Sequence, residues 1–390
     1  MGESFSLAGE TSHRLSKHGS SADIVGNGSR PITGGAMAMT GHGGCTKTGK
    51  AGMMPRVRRP VIPALLLMWP LLSAILAAAG PLQAGVVAVQ SENDLYGDGE
   101  DRWYTNGARL VVGLDRDRQP KGLGWLRDIL FFLPRTGDRH QRYQFALGQS
   151  MFTPRTIKIA APIAGDRPYA AWLQGEAGLA LDRSRGQRDE LIVSLGVVGP
   201  PALGRKTQTA VHKLVNSPIP QGWAHQIRAE PTVQAFYTHM WRLDLLPSGH
   251  WIEARAVPFA GFDLGTVSVA GDAGIALRLG HRLAPGLPPR IPSAIVGSGF
   301  APVDDGHFGF EIFVGMGGRL VGRNMFLSGT LLRHDPVTVR PRRGLHELAL
   351  GGTLRYGGVR LVYGYYLLGR EFRGQPEGQG IGHITLSFSF

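Results

Sequence analysis

From Gly85 to the last residue, the sequence is dominated by short segments in which apolar and polar residues alternate. The clearest is His383–Phe390, where each Ile, Leu or Phe is followed by a Thr or Ser until the chain ends at a Phe. Successive side chains of a β-strand point to opposite faces, so this segment has one apolar face and one hydroxyl-bearing face. A chain made of many such segments is predicted to be an all-β protein with antiparallel strands.

Thirteen segments show this alternation, some of them imperfectly. Bacterial single-chain outer-membrane barrels have even numbers of strands, so either one assignment is wrong or two segments share a strand. We therefore expect about twelve strands. The segments are Val86–Asn93, Tyr104–Leu114, Arg142–Gln149, Tyr169–Leu181, Glu190–Val198, Thr232–Leu243, Trp251–Leu264, Val267–Leu279, Phe308–Leu320, Asn324–Leu332, His346–Arg355, Val359–Leu367 and His383–Phe390.

Further features favour a transmembrane antiparallel β-barrel over a soluble β-sandwich or soluble barrel. Trp and Tyr residues recur near the ends of predicted strands, as in the aromatic girdles of membrane barrels. The last strand ends in Phe390, and the single cysteine, Cys45, precedes the alternating region. A fold without disulfides must be closed by its own hydrogen bonds and packing, as a barrel is.

The first 84 residues differ from the rest. Residues 1–52 are rich in Gly, Ser, Thr, Ala and Met without apolar periodicity, so we interpret them as a disordered or mis-assigned N-terminal extension. Residues 53–84 are typical of a signal peptide, because three arginines precede the apolar run Val61–Ala79 and Ala84 supplies a small residue at the cleavage point. The apolar run is also long enough for a membrane-spanning anchor. The barrel is then expected to comprise residues 85–390.

The charge of the chain indicates which class of partner it binds. The sequence contains 42 Lys+Arg and 29 Asp+Glu, and removal of residues 1–84 takes away 8 and 3 of these, which leaves a net charge of +8. The excess is spread along the chain, without the Lys/Arg blocks interleaved with aromatics that bind nucleic acid. We expect an anionic surface as the partner, and no nucleic acid.

One segment stands apart from the strands and predicts a helix. Thr207–Val215 lacks Gly and Pro, and it places Gln208 and His212 at positions i and i+4 on one helical face. Gly and Pro residues bound it on both sides. Taken alone, the segment is more typical of a surface helix that carries an ordinary solvated histidine.

The order of the strands indicates where the unusual polar residues lie. If the N-terminus is periplasmic, the connections Glu92–Arg102, Phe152–Arg167 and Gly199–Glu230 all lie on the outer side. The connection Asp115–Gln141 is long for a periplasmic turn. Its apolar segment Trp125–Leu133 predicts a short amphipathic helix that lies on the membrane or plugs the lower rim.

The outer connections contain an ordered set of short motifs, each of which alone is typical of a turn or a strand end. The set is Asn93-Asp94, Trp103 to Gly107, Thr153-Pro154, Gly165 to Ala170, and Gln208, His212, Gly222-Trp223 and Gln226. In order and spacing, it resembles the outer-membrane lipid A 3′-O-deacylase family over essentially all of residues 85–390.

This resemblance implies a twelve-stranded barrel in the cell outer membrane, with an active site between the outer rim of the wall and a helix in an extracellular loop. It implies an esterase that requires calcium and removes the 3′-linked acyloxyacyl group of lipid A, the lipid part of lipopolysaccharide. The site residues that it implies are Asn93, Asp94, Thr105, Gln208 and His212, with His212 as the catalytic base and Lys158 as a ligand of a substrate phosphate.

One position departs from the family pattern. Where that pattern has a glutamate six residues after the histidine, this chain has Pro218. The helix-ending segment therefore lacks one expected carboxylate. Glu230 and Glu92 are candidate substitutes.

The implied chemistry agrees with first principles. His212 supplies a base near neutral pH, and a hard cation held by oxygens of Asp94, Asn93 and backbone carbonyls would stabilise an oxyanion. The mature chain has no Gly-x-Ser-x-Gly motif, which favours attack by water over an acyl-serine route. Lys158, Arg155 and Arg167 are expected on the outer rim, where lipid A phosphates lie.

The sequence is also consistent with two other functions. The first is a non-catalytic barrel that binds lipopolysaccharide or has a structural role, which the absence of the glutamate favours and the retention of the other site residues opposes. The second is a phospholipase-type barrel that cleaves esters of glycerophospholipids.

Overall fold

The computed structural model describes residues 85–114, 124–133, 138–246, 250–284, 306–335 and 337–390. The predicted N-terminal extension, residues 1–52, and the predicted signal peptide, residues 53–84, lie outside the described residues.

Twelve long strands and one two-residue strand form a single antiparallel sheet that closes on itself. The first strand pairs with the last, with Val86 opposite Ser389. The circle is completed where the sixth strand pairs with the eighth, with Gln234 opposite Gly265. The strands are β1 Gly85–Asn93, β2 Trp103–Leu114, β3 Asp138–Thr153, β4 Ala170–Arg183, β5 Gln187–Val198, β6 Glu230–Trp241, β7 Leu243–Asp244, β8 Glu253–Gly265, β9 Ser268–His281, β10 Gly309–Asn324, β11 Gly344–Tyr356, β12 Val359–Leu368 and β13 Gln379–Ser389.

The predicted twelve-stranded barrel is therefore confirmed, and one of the thirteen candidate segments is wrong. Asn324–Leu332 is not a strand, because β10 ends at Asn324 and a short helix follows, α3 Met325–Ser328. The side chain of Asn324 accepts a hydrogen bond from the Phe326 backbone N–H at 3.0 Å, which caps the helix. Met325 and Phe326 are fully buried, so their apolar character comes from packing rather than from alternation in a strand.

The barrel wall is apolar outside and polar inside. Leucines such as Leu147, Leu195 and Leu264 are more than half exposed on the outer face. The neighbouring inward positions carry buried ion pairs, such as Arg278 with Glu311 at 2.6 Å. This distribution is the reverse of a soluble barrel and is typical of a transmembrane β-barrel.

The long connection after β2 carries the helix α1, Gly124–Ile129. Leu126 and Leu130 are buried against Tyr143, Leu179 and Leu191. These three side chains lie on the outward face of their strands, as the exposed leucines do. The segment therefore lies on the outer wall, and of the two predicted arrangements the structure shows the one outside the lumen. Within the described residues, no helix is both long and apolar enough to cross a membrane.

Antiparallel order brings six connections to one end of the barrel, which we call the loop rim. They are residues 94–102, 154–169, 199–229, 266–267, 325–343 and 369–378. Below them, aromatic side chains fill the lumen, with the rings of Phe152 and Phe326 stacked at 4.2 Å. We call this buried cluster the aromatic plug.

Candidate functional site

A helix on the loop rim positions the predicted base. This helix, α2, spans Gly204–Val215 and confirms the helix predicted from Thr207–Val215. It is capped at its C-terminus by Asn216, which adopts a left-handed conformation with φ 55°. Its face toward the barrel wall consists of Gly204, Gln208 and His212, which are buried and recur every four residues.

The helix is fixed to the wall by Trp223, which is 2% exposed. A Cβ on Gly204 would lie 2.5 Å from the Trp223 ring and from the Ala171 Cβ, so only glycine permits this approach. The Trp223 indole Nε1 donates a hydrogen bond to Gln208 Oε1 at 2.8 Å. The rotation of α2, and with it the direction of His212, is therefore set by packing and by one buried hydrogen bond.

The imidazole of His212 has two different neighbours. Its Nδ1 lies 2.6 Å from the carbonyl oxygen of Pro218. A carbonyl can only accept a hydrogen bond, so Nδ1 carries a proton. Its Nε2 lies 3.3 Å from Asp101 Oδ2. In the neutral ring, Nε2 is therefore the nitrogen that can accept a proton.

Asp101 is a site residue that the sequence analysis did not single out. Besides its contact with His212, its Oδ1 accepts a hydrogen bond from Gln208 Nε2 at 3.4 Å. Burial raises the pKa of the Asp101 carboxyl, and the neighbouring His212 opposes that rise. The available signal was the acidic run Asp98 to Asp101, in a connection already assigned to the same rim as the helix.

Asn93 and Asp94 stand where β1 enters the same loop. The Asn93 side chain accepts the Leu95 N–H at 2.7 Å and so caps a short 3-10 helix. Asp94 is 1% exposed, and its Oδ2 accepts the Arg102 N–H at 2.6 Å. Burial, and then the charge of Asp101, raise the pKa of Asp94 well above its ordinary value.

These carboxylates test whether the site suits calcium. Within the residues that the structure describes, no three His, Cys, Asp or Glu side chains converge as a metal-binding group. The donor chemistry nevertheless fits a hard cation, because Asp94 offers a carboxylate and Asn93 an amide oxygen. A buried carboxylate whose charge is opposed by a second one is an environment that a bound cation relieves.

Thr105 is placed by an irregularity in the wall. The register of β2 on β3 shifts between Tyr104 and Asn106, so Thr105 lies at a bulge. Its Oγ1 lies 2.7 Å from the Oγ1 of Thr153, and both side chains are buried. Two motifs of the ordered set are therefore joined directly by this hydrogen bond.

The three predicted phosphate ligands are not equivalent. Arg155 and Lys158 are exposed on the loop rim, as expected. Arg167 differs from the expectation, because it is 1% exposed and its Nη1 donates to Glu371 Oε2 at 2.9 Å. Burial lowers the pKa of this guanidinium, which also lies 4.6 Å from the centroid of the Phe152 ring. Arg167 thus links two loops from a buried position, unlike the exposed Arg155 and Lys158.

Neither candidate substitute for the missing glutamate reaches His212. Glu230 accepts hydrogen bonds from the backbone N–H groups of Leu331 and Leu332 at 3.1 and 2.8 Å. Glu92 lies in the lumen, where it accepts the hydroxyl of Tyr104 and lies 3.1 Å from His383 Nδ1. The carboxylate beside His212 is that of Asp101.

A closed barrel with an apolar wall, a polar interior and a loop-borne polar site defines an outer-membrane β-barrel protein. The sequence model of the family described as outer membrane protein LpxR matches residues 64–390, and the chain belongs to this family. The resemblance to the lipid A 3′-O-deacylase family is thereby confirmed.

A solved structure shares this fold. LpxR from Salmonella typhimurium superposes with a TM-score of 0.62 and 19% sequence identity, over 78% of this chain and 100% of that one. The β domain of the Bordetella autotransporter BrkA is more distant, with a TM-score of 0.40 and 13% identity over 79% of this chain and 99% of that one. No curated protein matches the sequence.

Proposed function

We propose that the protein is an outer-membrane esterase that hydrolyses the 3′-linked acyloxyacyl chain of lipid A. The observation that carries this proposal is the set of contacts that the two ring nitrogens of His212 make. Its Nδ1 proton is held by the Pro218 carbonyl, while Nε2 lies 3.3 Å from the carboxylate of Asp101 in the neighbouring loop. A histidine in this arrangement is suited to act as a general base.

The reaction follows from that arrangement. His212 Nε2 takes a proton from water, and the resulting hydroxide adds to the ester carbonyl carbon. The bond from that carbon to the sugar oxygen then breaks, and the imidazolium returns its proton to the departing oxygen. The products are a free acyloxy acid and a sugar hydroxyl. Gln208 and Trp223 hold the helix that carries the base.

We further propose that calcium binds at the loop that begins with Asn93 and Asp94. When bound, the cation would supply charge stabilisation for the oxyanion that develops on the ester carbonyl. Asp94 is its main protein ligand in this proposal, with Asn93 beside it. The support is the set of oxygen donors and the elevated pKa of the buried Asp94 carboxyl.

The surface around His212 suits a lipid that also carries charge. Val211, Leu214 and Val215 on α2 are 38%, 48% and 40% exposed, so an apolar strip lies beside the base. Acyl chains would contact this strip. Arg155 and Lys158 would contact the phosphates, with the loop rim facing the cell exterior, where lipid A is located.

Mass spectrometry of lipid A tests the proposal. The full chain is expressed in a host whose lipid A carries a 3′-linked acyloxyacyl group, and the lipid is expected to lose the mass of that group. His212→Ala should lower the deacylation rate on the order of 10²–10⁴-fold. His225→Ala is the matched control, because this histidine lies exposed in the same loop, and it should retain activity.

Other outcomes would favour the alternatives. If lipid A stays intact with both wild type and His212→Ala, the protein is a non-catalytic barrel that binds lipopolysaccharide or has a structural role. Release of fatty acid from glycerophospholipids, with lipid A intact, would instead identify a phospholipase-type barrel.

A further inference from the structure

The carbonyl of Pro218 can orient the His212 ring, as a carboxylate at this position could, but it cannot supply a negative charge. It fixes the direction of the imidazole by accepting the Nδ1 proton at 2.6 Å. It is neutral, however, and it cannot offset the full positive charge that the ring acquires when Nε2 takes a proton. A nearby carboxylate stabilises an imidazolium by direct charge interaction.

Asp101 lies where that charge develops. Its Oδ2 is 3.3 Å from Nε2, on the other nitrogen of the ring from the one that Pro218 holds. Carboxylate and imidazole are largely shielded from water, with 29% and 9% of their side chains exposed. A charge interaction between partly buried groups is screened less than one on an open surface.

The position of Asp101 is fixed by more than the histidine. Gln208 Nε2 donates to Asp101 Oδ1 at 3.4 Å, and Gln208 Oε1 in turn accepts from Trp223 Nε1 at 2.8 Å. The chain of contacts runs from the buried indole through the amide and the carboxylate to the imidazole. Gln208 therefore places both the helix and the carboxylate that faces His212.

We propose that Asp101 is the positioning carboxylate of His212 in this chain, where Pro218 occupies the position of the glutamate in the family pattern. The proposal rests on the function proposed above. The carboxylate comes from the β1–β2 loop instead of the segment after α2. Pro218 orients the ring through Nδ1, and the Asp101 carboxylate beside Nε2 stabilises the imidazolium that forms when Nε2 takes the proton from water.

This role differs from that of an ordinary structural ion pair. A structural pair would affect folding and expression, and it would leave the turnover of the folded enzyme unchanged. A positioning carboxylate acts on the proton-transfer step, so its loss lowers kcat more than it changes KM.

Kinetics of four proteins in detergent and lipid A mixed micelles test the proposal. Asp101→Asn should lower kcat at least about tenfold, with KM changed less than about twofold, because the charge is lost at nearly constant shape. Asp101→Glu keeps the carboxylate and should retain more activity than Asp101→Asn. Glu100→Gln is the matched control, since it removes an exposed acid one residue away, and should match wild type. Wild-type kcat in Asp101→Asn would overturn the proposal.

A second measurement does not require activity. In protein with ¹⁵N-labelled histidine, the His212 signals are assigned by their loss in His212→Ala. Asp101→Asn should change the Nε2 chemical shift and leave the Nδ1 signal bound to Pro218 in place. An unchanged Nε2 signal would contradict the contact, even if wild type proves unable to deacylate lipid A. Failure of the deacylase function and failure of the Asp101 assignment are thereby distinguished.

Discussion

His212 donates its Nδ1 proton to the carbonyl oxygen of Pro218 across 2.6 Å, and the acceptor is a backbone atom of the residue that replaces the glutamate of the family pattern. The bond therefore does not depend on the side chain at position 218. A proline at this position is thus compatible with a His212 imidazole that is oriented by a hydrogen bond.

Replacement of Pro218 tests this directly. Its side chain is exposed, and every residue type offers the same carbonyl, so Pro218→Ala should keep deacylase activity within about threefold of wild type. The rate is measured by mass spectrometry of lipid A. A loss as large as that of His212→Ala would mean that the proline ring itself holds the loop in place.

If calcium binds as proposed, its removal should abolish activity without unfolding the barrel. Asp94 lies in a loop at the rim, and the strand ladder that closes the wall does not depend on it. We expect Asp94→Ala and excess chelator each to suppress deacylation, while the protein keeps its heat-modifiable migration in electrophoresis. Full activity in excess chelator would exclude calcium.

The effects of Asp94→Ala and His212→Ala should not add. If both residues serve one chemical step, the double variant should be little worse than the more damaged single variant. A double variant whose loss equals the product of the two single losses would place the residues in separate steps. Rates of all four proteins are compared at one saturating lipid A concentration.

The buried Asp94 carboxyl also makes stability depend on pH in calcium-free buffer. Its folded pKa is raised well above the unfolded value, by burial and then by Asp101, so the folded state favours the protonated form. That contribution is complete below the ordinary carboxyl pKa and is lost as the pH rises through the raised value. We expect the unfolding temperature to fall over this interval, and Asp94→Asn to flatten the profile. A profile identical in wild type and Asp94→Asn would contradict the assignment.

Arg167 should behave differently from the exposed cations of the rim. Breaking its buried pair with Glu371 leaves an unpaired charge, which costs about 3–5 kcal/mol in buried pairs of this kind. Arg167→Ala should therefore lower the unfolding temperature, whereas Arg155→Ala and Lys158→Ala should raise KM for lipid A and leave stability unchanged. Thermal melts and lipid A titrations of the same three variants separate the two effects. An increase in KM for Arg167→Ala at unchanged stability would restore it as a substrate ligand.

Much of the fold follows from local sequence. Alternation such as that of His383–Phe390 fixes which side chains face the wall and which face the lumen, because the side-chain period of a strand is two residues. The same rule fails at Asn324–Leu332, where apolar residues pack inside a plug rather than along a strand. Periodicity shows which residues of a helix or strand share a face. It does not show which part of the protein packs against that face.

The helix and its histidine were also determined by the sequence, since the spacing of Gln208 and His212 depends only on helical geometry. Their partners were decided by the tertiary structure. Asp101 lies 111 residues before His212 in the chain, and only the closed barrel brings the two loops together. The burial of Arg167 could not be predicted from the sequence either, because an arginine next to an aspartate is typical of an exposed pair. Only the folded chain places Glu371 beside Arg167. Contacts between distant loops are set by how the wall closes, and no local pattern in the sequence records that closure.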